Sequence, residues 1–116
     1  MKLKRIMELL NARPLTDVVD EDLEINCACA SDMMSDVLAF PKEHMILLTG
    51  LVNHQVMRTC DMLDIRAVCF TRGKLPTAEA LEMANEDGIS VIATDLTMFI
   101  ASGKLYSGGM NNGTIG

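Results

Sequence analysis

Three short apolar runs, each ending in a threonine, constrain the fold of this chain more than any other feature. The runs are HMILLTG, DIRAVCFTRG and GISVIATD, and their terminal threonines are Thr49, Thr71 and Thr94. About 22 residues separate one threonine from the next, which is the length of a strand, a tight loop, a helix and a return. Continuous apolar strands that alternate with helices indicate a parallel sheet covered on both faces. The sequence therefore predicts an α/β fold, a single three-layer α/β/α domain with a parallel sheet built from successive βα units.

Helical patterns and helix-ending residues fill the rest of the chain. An amphipathic helix is predicted at the N-terminus by the spacing of Leu3, Ile6, Met7 and Leu10, and Pro14 is predicted to end it. The stretch 15–23 predicts a short strand with a turn around residues 20–22. The predicted caps of the later helices are Ser31 or Asp32, Asn53, Thr77 and Asp95 at N-termini and Gly88 at a C-terminus.

Length, composition and charge limit the class of protein. The chain has 116 residues, 49% of them hydrophobic, so one domain can bury a core. We place this domain at residues 1–106 and interpret the Gly- and Asn-rich residues 107–116 as a flexible tail. The net charge of −6 argues against a nucleic-acid partner, because binding a phosphate backbone needs clustered Lys and Arg. Because neither a membrane span nor a signal peptide is evident, we expect a cytoplasmic protein with no membrane partner.

Polar residues at the ends of the three strands predict a binding site. Right-handed βα crossovers bring the carboxyl ends of parallel strands, and the helix N-termini, to one edge of the sheet. We call this predicted ligand site the carboxyl rim, which consists of Thr49, Gly50, Asn53, Thr71, Arg72, Gly73, Thr94 and Asp95. Its hydroxyls, free backbone N–H groups and guanidinium suit a small anionic or phosphate-bearing ligand. Ordinary capping and turn chemistry also explains several of these residues without any ligand.

The segment INCACASDMMSDVL places two cysteines two residues apart. In an extended strand Cys27 and Cys29 point to one face, where they could hold a metal or cluster, with Cys69 on a neighbouring strand as a third ligand. Known zinc and iron–sulfur sites rely instead on loops such as CxxC that let the sulfurs converge. Free cysteine is also among the most buried residue types. We therefore predict a buried strand, no metal and no cofactor.

The segments ASDMMSDVLAF and ILLTGLVNHQVMRTC, continued by DMLDIRAVCFTRGKLPTAEALEMANEDGISVIATDLTMFIASGKLY, make the chain resemble the DRTGG domain family. The likeness covers about residues 26–106 and the helix before them. It implies a small α/β domain related in fold to the N-terminal domain of HPr kinase. Such domains sit inside phosphotransacetylases and CBS-domain pyrophosphatases as regulatory or dimerising modules. The string Asp-Arg-Thr-Gly-Gly itself does not occur here, and its nearest echoes are the Thr-Gly at 49–50 and the Thr-Arg-Gly at 71–73.

The sequence contains few of the residue patterns that enzymes use for catalysis. Phosphoryl transfer needs a GxxxxGK[ST] loop or an equivalent, and none occurs. The two imidazoles, His44 and His54, have no evident nucleophile beside them. We therefore predict no catalytic residues and a non-enzymatic regulatory or protein-interaction module.

We expect the module to be a homodimer, in line with the dimerising role that the resemblance implies, and to act in trans on a partner protein or enzyme. A surplus of methionines suggests the interface, and these are Met33, Met34, Met57 and Met62. One alternative is a sensor of a nucleotide or anionic metabolite that binds at the carboxyl rim. The other is a redox or iron–sulfur accessory protein that uses the cysteines.

Overall fold

A computed structural model describes residues 1–110 of the chain. Within this range the strands are β1 (Arg13–Pro14), β2 (Cys27–Ala30), β3 (Met45–Thr49), β4 (Ala67–Phe70) and β5 (Ser90–Ala93). The helices are α1 (Leu3–Leu10), α2 (Met34–Ala39), α3 (Gln55–Met62), α4 (Ala78–Asp87) and α5 (Met98–Ser107). The strands form one sheet in the order β1-β5-β4-β3-β2.

The sheet is mostly parallel, which confirms the predicted α/β architecture. Strands β2, β3, β4 and β5 pair in parallel, whereas β1 is antiparallel to β5 at one edge. Every residue of β3, β4 and β5 is buried. Strands buried on both faces have no polar side to alternate with the apolar one, which explains the continuous apolar runs in the sequence.

The edge strand β1 departs from the prediction. The sequence predicted a short strand within residues 15–23, and it predicted that Pro14 ends the first helix. In the structure Pro14 itself pairs with Ile92, and the backbone N–H of Leu15 extends the pairing to Val91 O at 2.8 Å. Proline has no N–H to donate, so it fits an edge strand, where one side of the backbone needs no partner. Helix α1 ends earlier, where Asn11 adopts a left-handed conformation with φ of 49°.

Helices cover the sheet on both faces, so the molecule has three layers. On one face, α2, α3 and α4 pack over a cluster that includes Leu47, Val68 and Val91. On the other face, α1 and α5 pack over a cluster that includes Ile46 and Ile92. This is the predicted α/β/α arrangement. No helix within residues 1–110 is long and apolar enough to cross a membrane.

Local capping was predicted correctly for α4. Thr77 Oγ1 accepts a hydrogen bond from the Ala80 backbone N–H at 3.2 Å, and Gly88 ends the helix with φ of 70°. The prediction for α5 was wrong, since Thr97 and not Asp95 is the N-cap, accepting from Ile100 N at 3.2 Å. Both threonine caps follow the same rule, in which a short hydroxyl side chain satisfies an amide of the first turn.

The last part of the described chain continues beyond the expected domain boundary at residue 106. Helix α5 runs through Ser107, and Met110 is buried in the same cluster as Leu105. The remainder of the predicted tail, residues 111–116, lies outside the described residues.

Candidate functional site

The three threonines of the carboxyl rim come together as the register of the sheet requires. Thr49 pairs with Phe70, and Phe70 pairs with Ala93, so Thr71 and Thr94 follow at the same edge. The Thr71 backbone N–H donates to Thr49 O at 3.1 Å. All three threonines are buried. At the carboxyl rim the backbone pairing therefore continues one residue beyond the ends of β4 and β5.

Asp32 is a rim residue that the sequence reasoning missed. Its Oδ1 accepts one hydrogen bond from Thr49 Oγ1 at 3.0 Å and another from the Gly50 N–H at 2.6 Å. The sequence treated Asp32 as a cap of the following helix, but the side chain bonds across to the next strand, and Ser31 accepts from the Met33 N–H instead. A usable signal was present, because Asp32 follows β2 at the same edge where Thr49 ends β3.

The backbone N–H groups expected to be free at the rim have partners inside the protein. Arg72 and Gly73 both have positive φ, of 56° and 68°. Their N–H groups donate to Leu96 O at 2.7 Å and Thr94 O at 3.0 Å, which ties the loop after β4 to the loop after β5. The Gly50 N–H is the third such group, held by Asp32. Any anion at this rim would therefore depend on side chains rather than on a cradle of amides.

The hydroxyl of Thr94 is also engaged. Its Oγ1 donates to Leu10 O at 2.6 Å and accepts from the Leu96 N–H at 3.3 Å. The first bond satisfies a carbonyl at the C-terminus of α1, where helical carbonyls lack intrahelical partners. Thr94 thus fixes α1 to the end of β5.

The charged side chains of the rim are exposed and of mixed sign. Arg72 is exposed, and Asp95 is 85% exposed and lies 3.5 Å from the Arg13 guanidinium. Gly73 has its own steric reason to be small, since a Cβ there would lie 3.4 Å from Asp95 Oδ1. The rim thus carries the Arg72 guanidinium together with the carboxylates of Asp32 and Asp95, of which Asp95 is already paired with Arg13. This arrangement suits a ligand that hydrogen-bonds to Arg72 better than one with a large negative charge.

Asn53, the remaining rim residue, lies beside a second surface feature. Its Oδ1 accepts from the N–H of Gln55, the first residue of α3, at 3.0 Å, but the N-cap of this helix is His54, one residue after the predicted cap. It also lines a shallow cavity of about 310 Å³ between α2 and α3, together with Leu38, His54, Arg58 and Met62. His54 Nδ1 lies 3.7 Å from Glu79 Oε2. We name the residues Leu38, His54, Arg58 and Met62 the α2–α3 surface.

The cysteines are buried in two separate places. Cys27, Cys29 and Cys60 belong to the cluster under α2, α3 and α4, whereas Cys69 lies in the cluster on the other face of the sheet. The suggestion that Cys69 supplies a third ligand beside Cys27 and Cys29 is therefore wrong. Among residues 1–110, no three His, Cys, Asp or Glu side chains are grouped so as to hold a metal ion.

Burial also controls the acidity of these thiols. It raises the pKa of Cys60 to about 12 and that of Cys69 to about 12. Desolvation likewise raises the pKa of Cys27, although the nearby Lys42 ammonium acts in the opposite direction. The thiolate is the form that binds metals and reacts with disulfides. The burial of Cys27 and Cys29 is what a buried strand at this position predicts.

The methionines divide between core and surface. Met34 and Met57 are buried, so the sequence was wrong to place them at an interface, while Met33 and Met62 are 60% and 66% exposed. Met57 lies on the face of α3 that packs against the sheet. Only the exposed pair remains available for contact with another chain.

The aromatic side chains are distributed in an unusual way. The chain has three Phe and one Tyr, and only Phe70 is in the core. Phe40 is 43% exposed, Phe99 is 83% exposed and Tyr106 is 67% exposed. Phe99 and Tyr106 are seven residues apart on α5 and share one side of that helix. We name the residues Phe99, Ile100, Gly103 and Tyr106 the α5 surface.

Comparison with known proteins identifies the fold. The sequence matches no family model and no curated protein. The structure resembles the crystal structure of the CBS and DRTGG domains of the regulatory region of Clostridium perfringens pyrophosphatase, complexed with the activator diadenosine tetraphosphate. The identity is 22% and the TM-score 0.67, and the match covers 90% of this chain but 45% of that chain. The chain thus spans under half the length of this neighbour, and its DRTGG-related fold is confirmed.

Proposed function

We propose that this protein is a cytoplasmic, non-enzymatic regulatory and interaction module that forms a homodimer and acts in trans on a partner enzyme. The observation that carries the proposal is the exposure of three of its four aromatic side chains on a domain with a complete aliphatic core. Aromatic residues are enriched at protein interfaces and dominate their binding energy. The fold adds support, because the neighbour with the same architecture is a regulatory region. Fold alone does not determine function, so the surfaces carry the argument.

The α2–α3 surface suits self-association. Leu38 and Met62 are 41% and 66% exposed and line one shallow cavity. Arg58 lines the same cavity and lies one helical turn from Asp61, which is also exposed. A two-fold interface brings the same patch of both chains together, so a patch with apolar groups and both signs of charge is complementary to itself. We propose that two copies pair here, with Arg58 of each chain near Asp61 of the other.

The α5 surface lies on the opposite face of the sheet and would stay free in such a dimer. Gly103 separates its exposed apolar side chains, and a Cβ at Gly103 would meet nothing within 4 Å. Phe99 and Tyr106 therefore lie on either side of a position that has no side chain. We propose that the partner enzyme docks on the α5 surface.

Site-specific photo-cross-linking in the source cells tests the assignment of the two surfaces. A benzophenone amino acid at position 99 should cross-link the protein to a different polypeptide, and the same residue at position 62 should give a covalent homodimer. Position 82 on α4 is the control, because Glu82 is exposed and outside both surfaces. Equal products at positions 99 and 82 would contradict docking on the α5 surface.

A second candidate function is sensing of a small nucleotide or anionic metabolite at the carboxyl rim. The exposed Arg72 guanidinium favours it, and the pyrophosphatase neighbour was solved with diadenosine tetraphosphate bound. A ligand that binds only the folded state raises the melting temperature by mass action. Diadenosine tetraphosphate and AMP are suitable probes, with Arg72→Ala as the variant and Arg5→Ala, at an exposed position on α1, as its control.

We expect a small shift or none, because the rim amides are already hydrogen-bonded and the rim also carries the carboxylates of Asp32 and Asp95. A shift that Arg72→Ala abolishes and Arg5→Ala preserves would make the sensor the better account. A shift that survives Arg72→Ala would remove the rim from consideration.

A further inference from the structure

A cavity of about 540 Å³ opens at the amino edge of the sheet, opposite the carboxyl rim. It lies where β2, β3 and β4 begin and is bounded by the segment before β2 and by the loops that precede β3 and β4. Its volume falls in the range of pockets that enclose a small organic molecule. Neither the rim nor the two proposed interaction surfaces includes any part of it.

Backbone hydrogen bonds fix the walls of this amino-edge cavity. The Asn26 N–H donates to His44 O at 2.7 Å, and the Ile25 N–H donates to Met1 O at 2.8 Å. The Cys27 thiol also lies 3.7 Å from Glu43 O. These contacts join the loop before β3 to the segment before β2. The shape of the cavity is thus fixed by backbone hydrogen bonds and does not depend on side-chain packing alone.

The floor and part of the walls of the cavity are apolar. Ile25 and Met45 are almost fully buried beneath it, and Leu23 and Leu63 are half-buried at its sides. Apolar lining of this kind removes a hydrophobic group from water and stabilises its binding in proportion to the area covered. The cavity therefore favours the hydrocarbon or aromatic part of a ligand.

Two cations, Lys42 and Arg66, line the cavity as well. The Arg66 Nη1 lies 3.3 Å from Asp64 Oδ1, and its Nη2 donates to the Asp87 carbonyl. A guanidinium has five N–H donors, so these two contacts orient it and leave others for a ligand. Burial raises the pKa of the Cys27 thiol, and the Lys42 ammonium lowers it by a smaller amount, which places that charge near the start of β2.

The acidic residues of the cavity are in part already neutralised. Glu24 accepts from the amino group of Met1 at 3.2 Å, and Asp64 is paired with Arg66. Glu43 is exposed and contributes its carbonyl to the wall. The lining thus carries both signs of charge, and it is the N–H donors of Lys42 and Arg66 that suit an anionic group of a ligand.

We propose that the amino-edge cavity binds a small molecule with an apolar or aromatic body and a single anionic group, held by the Ile25 and Met45 floor and by Lys42 and Arg66. This site is independent of the proposed interaction function. It also lies at the edge opposite the one where the sequence predicted a ligand.

The dye 8-anilinonaphthalene-1-sulfonate has this chemistry and is a direct probe. With the full chain, its fluorescence should saturate at one molecule per chain, and N-phenyl-1-naphthylamine, which lacks the sulfonate, should bind more weakly. Lys42→Met keeps the aliphatic stem and removes the charge, so we expect binding about tenfold weaker. Lys74→Met is the matched control, because Lys74 is exposed in the loop after β4, and it should leave binding unchanged.

Amide NMR spectra of the same titration locate the site and verify that the chain remains folded. The shifts should concentrate in residues 23–25, 41–45 and 63–66. A second variant, Leu63→Phe, should weaken binding by filling the cavity, and Leu75→Phe, at an exposed position, should not. Absence of saturable binding, equal binding by Lys42→Met and Lys74→Met, or shifts confined to the α2–α3 or α5 surfaces would each overturn the proposal.

Discussion

At the scale of single residues, the Asp32 carboxylate joins two parallel strands beyond the end of their own ladder. It satisfies both the Thr49 hydroxyl and the Gly50 N–H. In Asp32→Ala these groups lose their acceptor, and a buried donor without a partner costs about 1–3 kcal/mol. We expect the free energy of unfolding, measured by urea denaturation, to fall by that amount. Glu82→Ala, at an exposed position on α4 outside both proposed surfaces, should change it by less than about 0.5 kcal/mol, and equal effects would contradict this role for Asp32.

Two buried thiols give the stability a defined dependence on pH. The pKa of Cys60 and that of Cys69 are about 12 in the folded protein, against about 8.5 in an unfolded chain. As the pH rises above about 8.5, the unfolded state loses these protons first, so the free energy of unfolding falls until the pH passes about 12. This contribution to stability is fully present below the unfolded pKa.

A Cys60→Ala/Cys69→Ala variant lacks these thiols and isolates their effect from other groups that titrate. Its stability deficit relative to the native sequence should shrink by more than about 1 kcal/mol between about pH 8 and about pH 10. Urea denaturation at both pH values measures the deficit. A constant deficit would mean that the thiols ionise as easily in the folded protein as in the unfolded chain.

The hydrogen-bond partner of a side chain was predictable from the sequence where that partner lies within the same helix. It was not predictable where the partner lies far along the chain. Thr77 and Gly88 were identified because a cap acts within its own helix. Aspartate is a residue type that often caps helices, but here Asp32 hydrogen-bonds to the next strand and Asp95 forms an ion pair with Arg13. The rim threonines were placed correctly because parallel register alone sets their position.

At the scale of elements, two glycines in or beside helices have opposite consequences. Gly88 ends α4 with φ of 70°, where an added Cβ would be strained and would lie 3.2 Å from Arg66 Nη2. Gly103 lies inside α5 and faces open space. Gly88→Ala should therefore lower the free energy of unfolding by about 1 kcal/mol, and Gly103→Ala should raise it by about 0.5–1 kcal/mol. Thermal unfolding of both variants checks the signs, and a stabilising Gly88→Ala would contradict the left-handed cap.

Strong periodicity also made the longer elements predictable. The apolar runs became β3, β4 and β5, and the heptad-like spacing of Leu3, Ile6 and Leu10 became α1. Strand β1 was missed because two residues, one of them proline, carry no periodic signal. Its position depends on pairing with β5, which lies far along the chain.

At the scale of the whole molecule, the three layers place the two proposed interaction surfaces on opposite sides of the sheet. The α2–α3 surface belongs to the layer over one cluster, and the α5 surface to the layer over the other. A dimer formed through the first would present two copies of the second outward. The amino-edge cavity opens at an edge of the sheet, so a ligand there would leave both surfaces accessible.

The mass of the protein in solution tests the central claim most directly. Multi-angle light scattering after size-exclusion chromatography, at micromolar concentration, should give twice the 12.7 kDa of one chain. Met62→Glu should return the mass to that of one chain, because it places a carboxylate in an apolar contact of the α2–α3 surface. Glu82→Lys, a charge change on α4 away from that surface, should remain dimeric. A native chain that stays at 12.7 kDa under these conditions would contradict the homodimeric module.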